Sequence, residues 1–327
     1  MEINLVKRVL DSGGMIRPLI VPSEQTDGSG ICNPSVFIDG EDILVNIRHV
    51  NYDMYHSEFN QKYPSWYGPL IYLHREDDVC LRTQNFLAKL TPELDIERVD
   101  RIDTSDLDVE PIWNFIGLED GRLFRWDDKL YICGVRRDTT DNGQGRMEFS
   151  EIEYVDGGVK EISRHRIEAP NNPDSYCEKN WMPILDKPFH FIKWTNPIEV
   201  VRADLETLSS ETVYKSEDYQ PAQRDFRGNS HVINYKGNYI ALIHEVDFWY
   251  NENERKDSQY YNRFIVWDKE WNFVRASQRF KFMDNYIEFS CGLAKHGDDF
   301  LISFGAQDNT AYILKANQEF IESFIYE

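Results

Sequence analysis

Long apolar runs are missing from this chain, and so are the short spacings that mark most metal, phosphate and nucleotide sites. No stretch approaches the ~18 apolar residues that a membrane-crossing helix requires. The opening MEINLVKRVLDSGG lacks the apolar core of a secretory leader, so a cytoplasmic location is expected. The cysteines Cys32, Cys80, Cys133, Cys177 and Cys291 form no CxxC pair, which excludes the common zinc spacings and favours free thiols in a reducing compartment. Asn33-Pro34-Ser35 carries the proline that disqualifies it as a glycosylation acceptor.

Other signatures fail at single positions. His244-Glu245 is not followed by the second histidine of a zinc protease, and Gly143-Gln144-Gly145 lacks the rest of a dinucleotide fingerprint. Neither a GxxxxGK phosphate loop nor a GxSxG elbow occurs. No metal and no organic cofactor is therefore expected. Basic residues are also in deficit: 36 Lys and Arg face 57 Asp and Glu, for a net charge of −21. That field disfavours nucleic acid and anionic membrane faces as partners. A neutral substrate is indifferent to it, whereas an anionic one needs a local basic pocket.

Sustained 3.6-residue periodicity is scarce, which leaves an all-β reading. Aromatic residues, at 14%, suit strands. Five segments share one layout of polar lead, apolar strand, turn and second strand. They are NPSVFIDGEDILVNIRHV from Asn33, EDGRLFRWDDKLYICGVRR from Glu119, KNWMPILDKPFHFIKWT from Lys179, GNSHVINYKGNYIALIHEV from Gly228 and SCGLAKHGDDFLISFGAQD from Ser290. Each is followed by a further strand-like run: PLIYLHR, MEFSEIEY, IEVVRA, NRFIVWD and AYILKA.

Four strands repeated five times predict a five-bladed β-propeller, a single domain over residues 1–327. The early strand MIRPLIVP is expected to pair with the C-terminal FIESFIY and close the ring. Residues 51–68 and 84–116 read as insertions, and 249–259 as a surface loop.

In a propeller the ends of the inner strands converge on a central channel. The lead and tail positions then form one constellation. It comprises Asn33, Arg48 and His49; Glu119, Asp120, Arg122, Arg136 and Arg137; Lys179 and Asn180; Arg227, Ser230, His231, His244 and Glu245; and Glu288 and Asp308. Such a mixture is costly to hold for packing alone. Carboxylates are the candidates for acid–base work: one protonates a glycosidic oxygen while a second, or a bound phosphate, attacks the anomeric carbon. Phosphate needs cations around it, for which Arg48, Arg136, Arg137, Lys179 and His244 are candidates.

At these residues the sequence resembles glycoside hydrolase family 130, five-bladed propellers that include β-mannoside phosphorylases and β-1,2-mannosidases. The shared elements are Asn33-Pro34 with Arg48, the Glu-Asp-x-Arg element Glu119 to Arg122, the pair Lys179-Asn180, and the strand ending at His244. The resemblance implies Asp120 as proton donor, acting through a sugar hydroxyl with inversion at the anomeric carbon. Beside the resemblance, sugar contacts are expected from Asn33, Arg48, His49, Glu119, Arg122, Asn180, His231, Glu288 and Asp308. The resemblance also implies phosphate contacts from Arg136 or Arg137, Lys179 and His244, with inorganic phosphate as co-substrate.

The chain departs from the family pattern at Gly121, where proline is usual, and in the RGNSHVI stretch with His231. Propellers of glycosyltransferase family 108 are similar too, so transfer from a nucleotide sugar is a second expectation. A non-catalytic glycan-binding propeller is a third. The implied partner is an oligosaccharide or glycan, and homo-oligomerisation is compatible with the sequence.

Overall fold

A pleated strand sends successive side chains to opposite faces, and in this chain both faces of the inner strands are buried because each sheet is packed between two others. The computed structural model describes residues 2–26, 28–55, 71–74, 78–170, 175–220, 226–250 and 256–327. Its strands form five antiparallel meanders, the blades of a β-propeller. Blade one runs Ile31–Asp39, Asp42–Val50, Leu81–Leu90 and Ile96–Asp103. Blade two runs Glu119–Trp126, Lys129–Arg136, Arg146–Val155 and Gly158–Ile167. Blade three runs Met182–Pro183, His190–Thr195, Ile198–Asp204 and Ser209–Lys215.

In blade four the inner strand is split into Arg227–Gly228 and Ile233–Tyr235, followed by Asn238–Tyr250, Lys256–Trp267 and Phe273–Ala276. Blade five runs Glu288–His296, Asp299–Ala306 and Thr310–Asn317, and its outermost strand is the N-terminal Met15–Pro18. The hairpin of blade two turns on Asp127 and Asp128, with φ of 47° and 62°, the left-handed pair that matches strand twist in a two-residue loop.

Packing lies between blades rather than in one centre. Phe37 and Leu87 of blade one meet Phe124 and Phe149 of blade two and Phe191 of blade three. Other clusters join blades three and four, and blades five and one. Blades four and five share a cluster with the two terminal helices. Burying each such side chain stabilises the fold by roughly 1.5–3 kcal/mol.

Four local expectations are corrected. The ring closes through Met15–Pro18, but its partner is Thr310–Asn317; FIESFIY is instead part of helix Gln318–Tyr326. Its buried residues Ile321, Phe324 and Ile325 follow helical spacing, and the Asn317 side chain caps the first turn by accepting from the Phe320 amide at 2.7 Å. The third strand of blade one is Leu81–Leu90 and the fourth Ile96–Asp103, so most of the one and all of the other come from the supposed 84–116 insertion. Ile71–His74, within the PLIYLHR run, pairs with Tyr52–Tyr55 in a separate ribbon. Trp249, Tyr250 and residues 256–259 extend a hairpin rather than forming a loop, while residues 56–68 of the first insertion lie outside the described residues.

Candidate active site

The inner strands lose their regular ladder at one common end. Register shifts fall between Cys32 and Ser35, between Glu119 and Arg122, and between Phe289 and Gly292, and blade four is interrupted between Gly228 and Ile233. Bulges of this kind re-aim side chains. Here they accompany left-handed backbone at Asn33 (φ 44°), Asp120 (53°) and Asn180 (62°), with Asp308 (49°) in a turn of blade five. Asn and Asp tolerate that region better than other non-glycine residues. Gly121 follows from the same crowding, since a Cβ there would lie 2.6 Å from Ile132.

Asp120 is the hub. Its Oδ1 accepts from Arg48 Nη1 at 2.8 Å and from Asn33 Nδ2 at 2.8 Å. Among the described residues its Oδ2 accepts no hydrogen bond, leaving one carboxylate oxygen for a ligand. Burial opposes ionisation of Asp120, but the Arg48 and Arg122 guanidinium groups, the Asn33 bond and Lys179 outweigh it, so its pKa falls below the usual carboxylate range. The same Asn33 amide donates to Asp308 at 3.3 Å. There burial and the neighbouring Asp120 and Glu119 charges prevail over Arg48, and the pKa rises.

Arg122 is wholly buried and ties three blades together. It donates to the carbonyl oxygens of Asn229 (2.7 Å) and Asp120 (2.6 Å) and to Asn180 Oδ1 (3.2 Å). It therefore holds backbone rather than a ligand. Glu119 lies 3.6 Å from Arg48 and 3.3 Å from Arg137, so it braces both guanidinium groups at the channel wall.

The two adjacent arginines part company. Arg136 faces blade one and is neutralised by Glu148 at 2.8 Å and Asp138 at 3.2 Å. Arg137 turns to Glu119 and Cys177.

On the far side His244 is buried, with Nδ1 2.6 Å from Asn229 Oδ1, while Asn229 Nδ2 donates to Asn262. That chain assigns the proton to Nδ1 and leaves the Nε2 lone pair to accept. Burial, then Arg227, Lys179 and Arg122, hold His244 neutral. Tyr260 stacks on it at 5.5 Å and 7°, and burial raises the phenol to about 12, so it remains a donor. Lys179 is exposed, and among the described residues neither Lys179 nor Arg227 has a carboxylate partner.

Besides Arg136, the candidates His49, His231 and Glu288 are not brought into this cluster. His49, on the opposite face of its strand from Arg48, contacts Ser29 Oγ at 2.9 Å. His231 is sealed beneath the channel beside Ser35, with burial taking its pKa to about 3. Glu288 accepts the backbone amides of Phe282, Met283 and Asn285 and so fastens a turn. Tyr260 was missed because it falls between the supposed 249–259 loop and the NRFIVWD run, at no repeat lead or tail. Arg227, one residue before the fourth repeat, was legible from its place.

The fold and site together define a five-bladed propeller with a polar channel end built from all five blades. No protein-family model matches the chain, and no curated relative matches it. Solved structures do. The chain is similar to a β-1,2-mannobiose phosphorylase from Listeria innocua, at 12% identity over 95% of this chain and 97% of that one, with a TM-score of 0.55. It is also similar to a mannose phosphorylase from Leishmania mexicana, at 10% identity over 97% and 93%, with a TM-score of 0.56. A glycosyl hydrolase from Bacteroides ovatus matches at 12% identity over 89% and 85%, with a TM-score of 0.57. The chain shares the fold of these proteins.

Proposed function

We propose that the chain is a carbohydrate-active enzyme that cleaves a β-mannosidic bond by inverting phosphorolysis. The observation that carries this reading is the pairing of Asp120, with one oxygen clamped and the other open, with two cations, Lys179 and Arg227, that have no carboxylate partner among the described residues. An enzyme that only hydrolyses has no need of such cations beside a neutral histidine. The neighbours named for mannoside phosphorolysis share this fold and support the sugar assignment.

In this scheme a phosphate oxygen attacks the anomeric carbon, the glycosidic carbon–oxygen bond breaks, and the leaving oxygen takes a proton that originates on Asp120 and passes through a sugar hydroxyl. In the folded chain Asp120 favours its ionised form. Phosphate binding works against that preference: the anion offsets Lys179, one of the cations that lower the Asp120 pKa, and adds a like charge nearby, so the pKa rises. Substrate binding thereby loads the donor. Arg48 and Asn33 fix its orientation, and Asn180 and Asp308 contact sugar hydroxyls.

Phosphate contacts are assigned to Lys179 and Arg227 as donors and to His244 Nε2 as the acceptor of the P–OH of hydrogen phosphate. Arg136 is withdrawn from that set because two carboxylates already neutralise it. The test is incubation with β-1,2-mannobiose with and without phosphate. Phosphate-dependent release of mannose 1-phosphate is expected, and activity with a nucleotide sugar alone would replace phosphorolysis by glycosyl transfer.

A further inference from the structure

The two middle strands of blade four, Asn238–Tyr250 and Lys256–Trp267, are the longest among the described residues, and they run on past the inner strand that begins at Arg227. Their pairing is regular from Tyr239–Trp267 to Tyr250–Lys256, with no bulge, so the alternation of faces holds along the whole arm. Arg227 lies directly across from His244. Val246 and Phe248 therefore share a face with Arg227 and His244, and Phe248 stands about 13 Å further along the arm than His244. The opposite face is fastened by ion pairs, Glu245 with Arg263 at 2.5 Å and Asp247 with Arg279 at 3.1 Å, which settle where the ring is held.

The Arg227 guanidinium reaches along this face and sits 5.7 Å from the centre of the Phe248 ring, within the range of cation–π attraction. Among the described residues its side chain has no carboxylate partner and donates no hydrogen bond. Phe248 is 47% exposed, so its place on the arm adds little to the core.

The arginines of blade two are held in another way. Arg136 is fixed by Glu148 at 2.8 Å and Asp138 at 3.2 Å, and Arg137 lies 3.3 Å from Glu119. A carboxylate fixes a guanidinium but also cancels its charge and takes up its N–H donors. A ring fixes it through the π face, so the charge survives and no donor is spent on an acceptor. In a chain with 57 acidic and 36 basic residues, that is a way to keep one cation ready for an anion from outside.

We propose that Phe248 is a positioning residue for anion binding: its ring holds Arg227 beside the channel, charged and with its donors unspent, ready for phosphate. The inference rests on the assignment of phosphate to Arg227 and adds to it. The affinity of the site is set in part by an aromatic side chain that itself contacts no phosphate oxygen.

The experiment is calorimetric titration of the full chain with inorganic phosphate. Wild type is compared with Phe248→Leu, which keeps apolar bulk without a π face, and with Phe248→Trp, which presents a stronger one. Arg227→Ala and the double variant Phe248→Leu with Arg227→Ala complete a cycle.

Phe248→Leu is expected to weaken phosphate binding roughly threefold to tenfold, and Phe248→Trp to stay within about twofold of wild type. Once Arg227 is alanine, the leucine substitution should have no further effect. A ring that merely held the arm in shape would cost the same in both backgrounds, and tryptophan would not restore it. An equal loss in both backgrounds, or a loss from Arg227→Ala with none from Phe248→Leu, overturns the proposal alone. Phosphate binding that Arg227→Ala leaves unchanged, or that wild type lacks, overturns the phosphate assignment and the proposal together, so the two failures are distinguishable.

Discussion

Replacing Arg122 with Met tests whether the channel end is held together by one buried guanidinium. Three acceptors in three blades depend on it: the carbonyls of Asn229 and Asp120 and the side chain of Asn180. Methionine fills most of the volume but donates to none of them. Each abandoned acceptor costs about 1–3 kcal/mol, offset in part because the desolvated charge is also removed. A net loss of about 3–5 kcal/mol is expected, or roughly 6–10 °C in unfolding midpoint at ~2 °C per kcal/mol for a chain of this size.

The effect on the site is separate and larger in proportion. Asp120 and Asn180 both sit in left-handed backbone, which their neighbours must over-determine. Arg122→Lys restores the charge but spans fewer of the three acceptors, so it should recover only part of the loss. Chemical denaturation and steady-state kinetics on the same preparations read both quantities. A methionine variant within about 1 kcal/mol of wild type with unchanged kcat/KM would refute the strut argument.

Other expectations follow from the charges. Lys179→Ala and Arg227→Ala should each raise the KM for phosphate by about tenfold or more, a typical loss for a charge-assisted contact, while Arg136→Met should leave it unchanged and lower stability instead. Asp308 has a raised pKa in the folded chain, so its stabilising protonated form is complete below the ordinary value of 3.8 and is lost as pH rises through the folded value. Asp308→Asn should therefore raise the unfolding midpoint at pH 7 and lose that advantage near pH 4, as scanning fluorimetry across this range would show. If Asp120 must be protonated to react, activity falls as pH rises. The alkaline limb of kcat, read with phosphate bound, should lie at higher pH than that of kcat/KM for phosphate, and coincident limbs would argue against loading of Asp120 by phosphate.

Much of this was legible in the sequence because the repeats put polar residues at matching strand ends. Glu119, Asp120 and Arg122 precede an alternating apolar run, and the fold brings them to the channel as that pattern requires. The misreadings have physical causes. LRTQNFLAKL carries four polar residues in a row at Arg82 to Asn85, which hid a strand whose first turns serve the site and the neighbouring blade. Arg136 and Arg137 are indistinguishable by position, and only the pleat decides that one faces Glu148 and the other Glu119. Glu288 and His231 occupy lead positions like the others, yet the bulges turn them toward backbone and core. A carboxylate bound to three amides looks the same in sequence as one bound to a ligand.

The central claim is that Asp120 delivers a proton during phosphorolysis. Asp120→Asn keeps the shape and an acceptor for Arg48 and Asn33 but removes the acid. With β-1,2-mannobiose and phosphate, mannose 1-phosphate formation followed by phosphorus NMR should fall by about 10²–10⁴ relative to wild type, while phosphate KM stays within a few-fold. Undiminished formation of mannose 1-phosphate by the Asn variant would contradict the account.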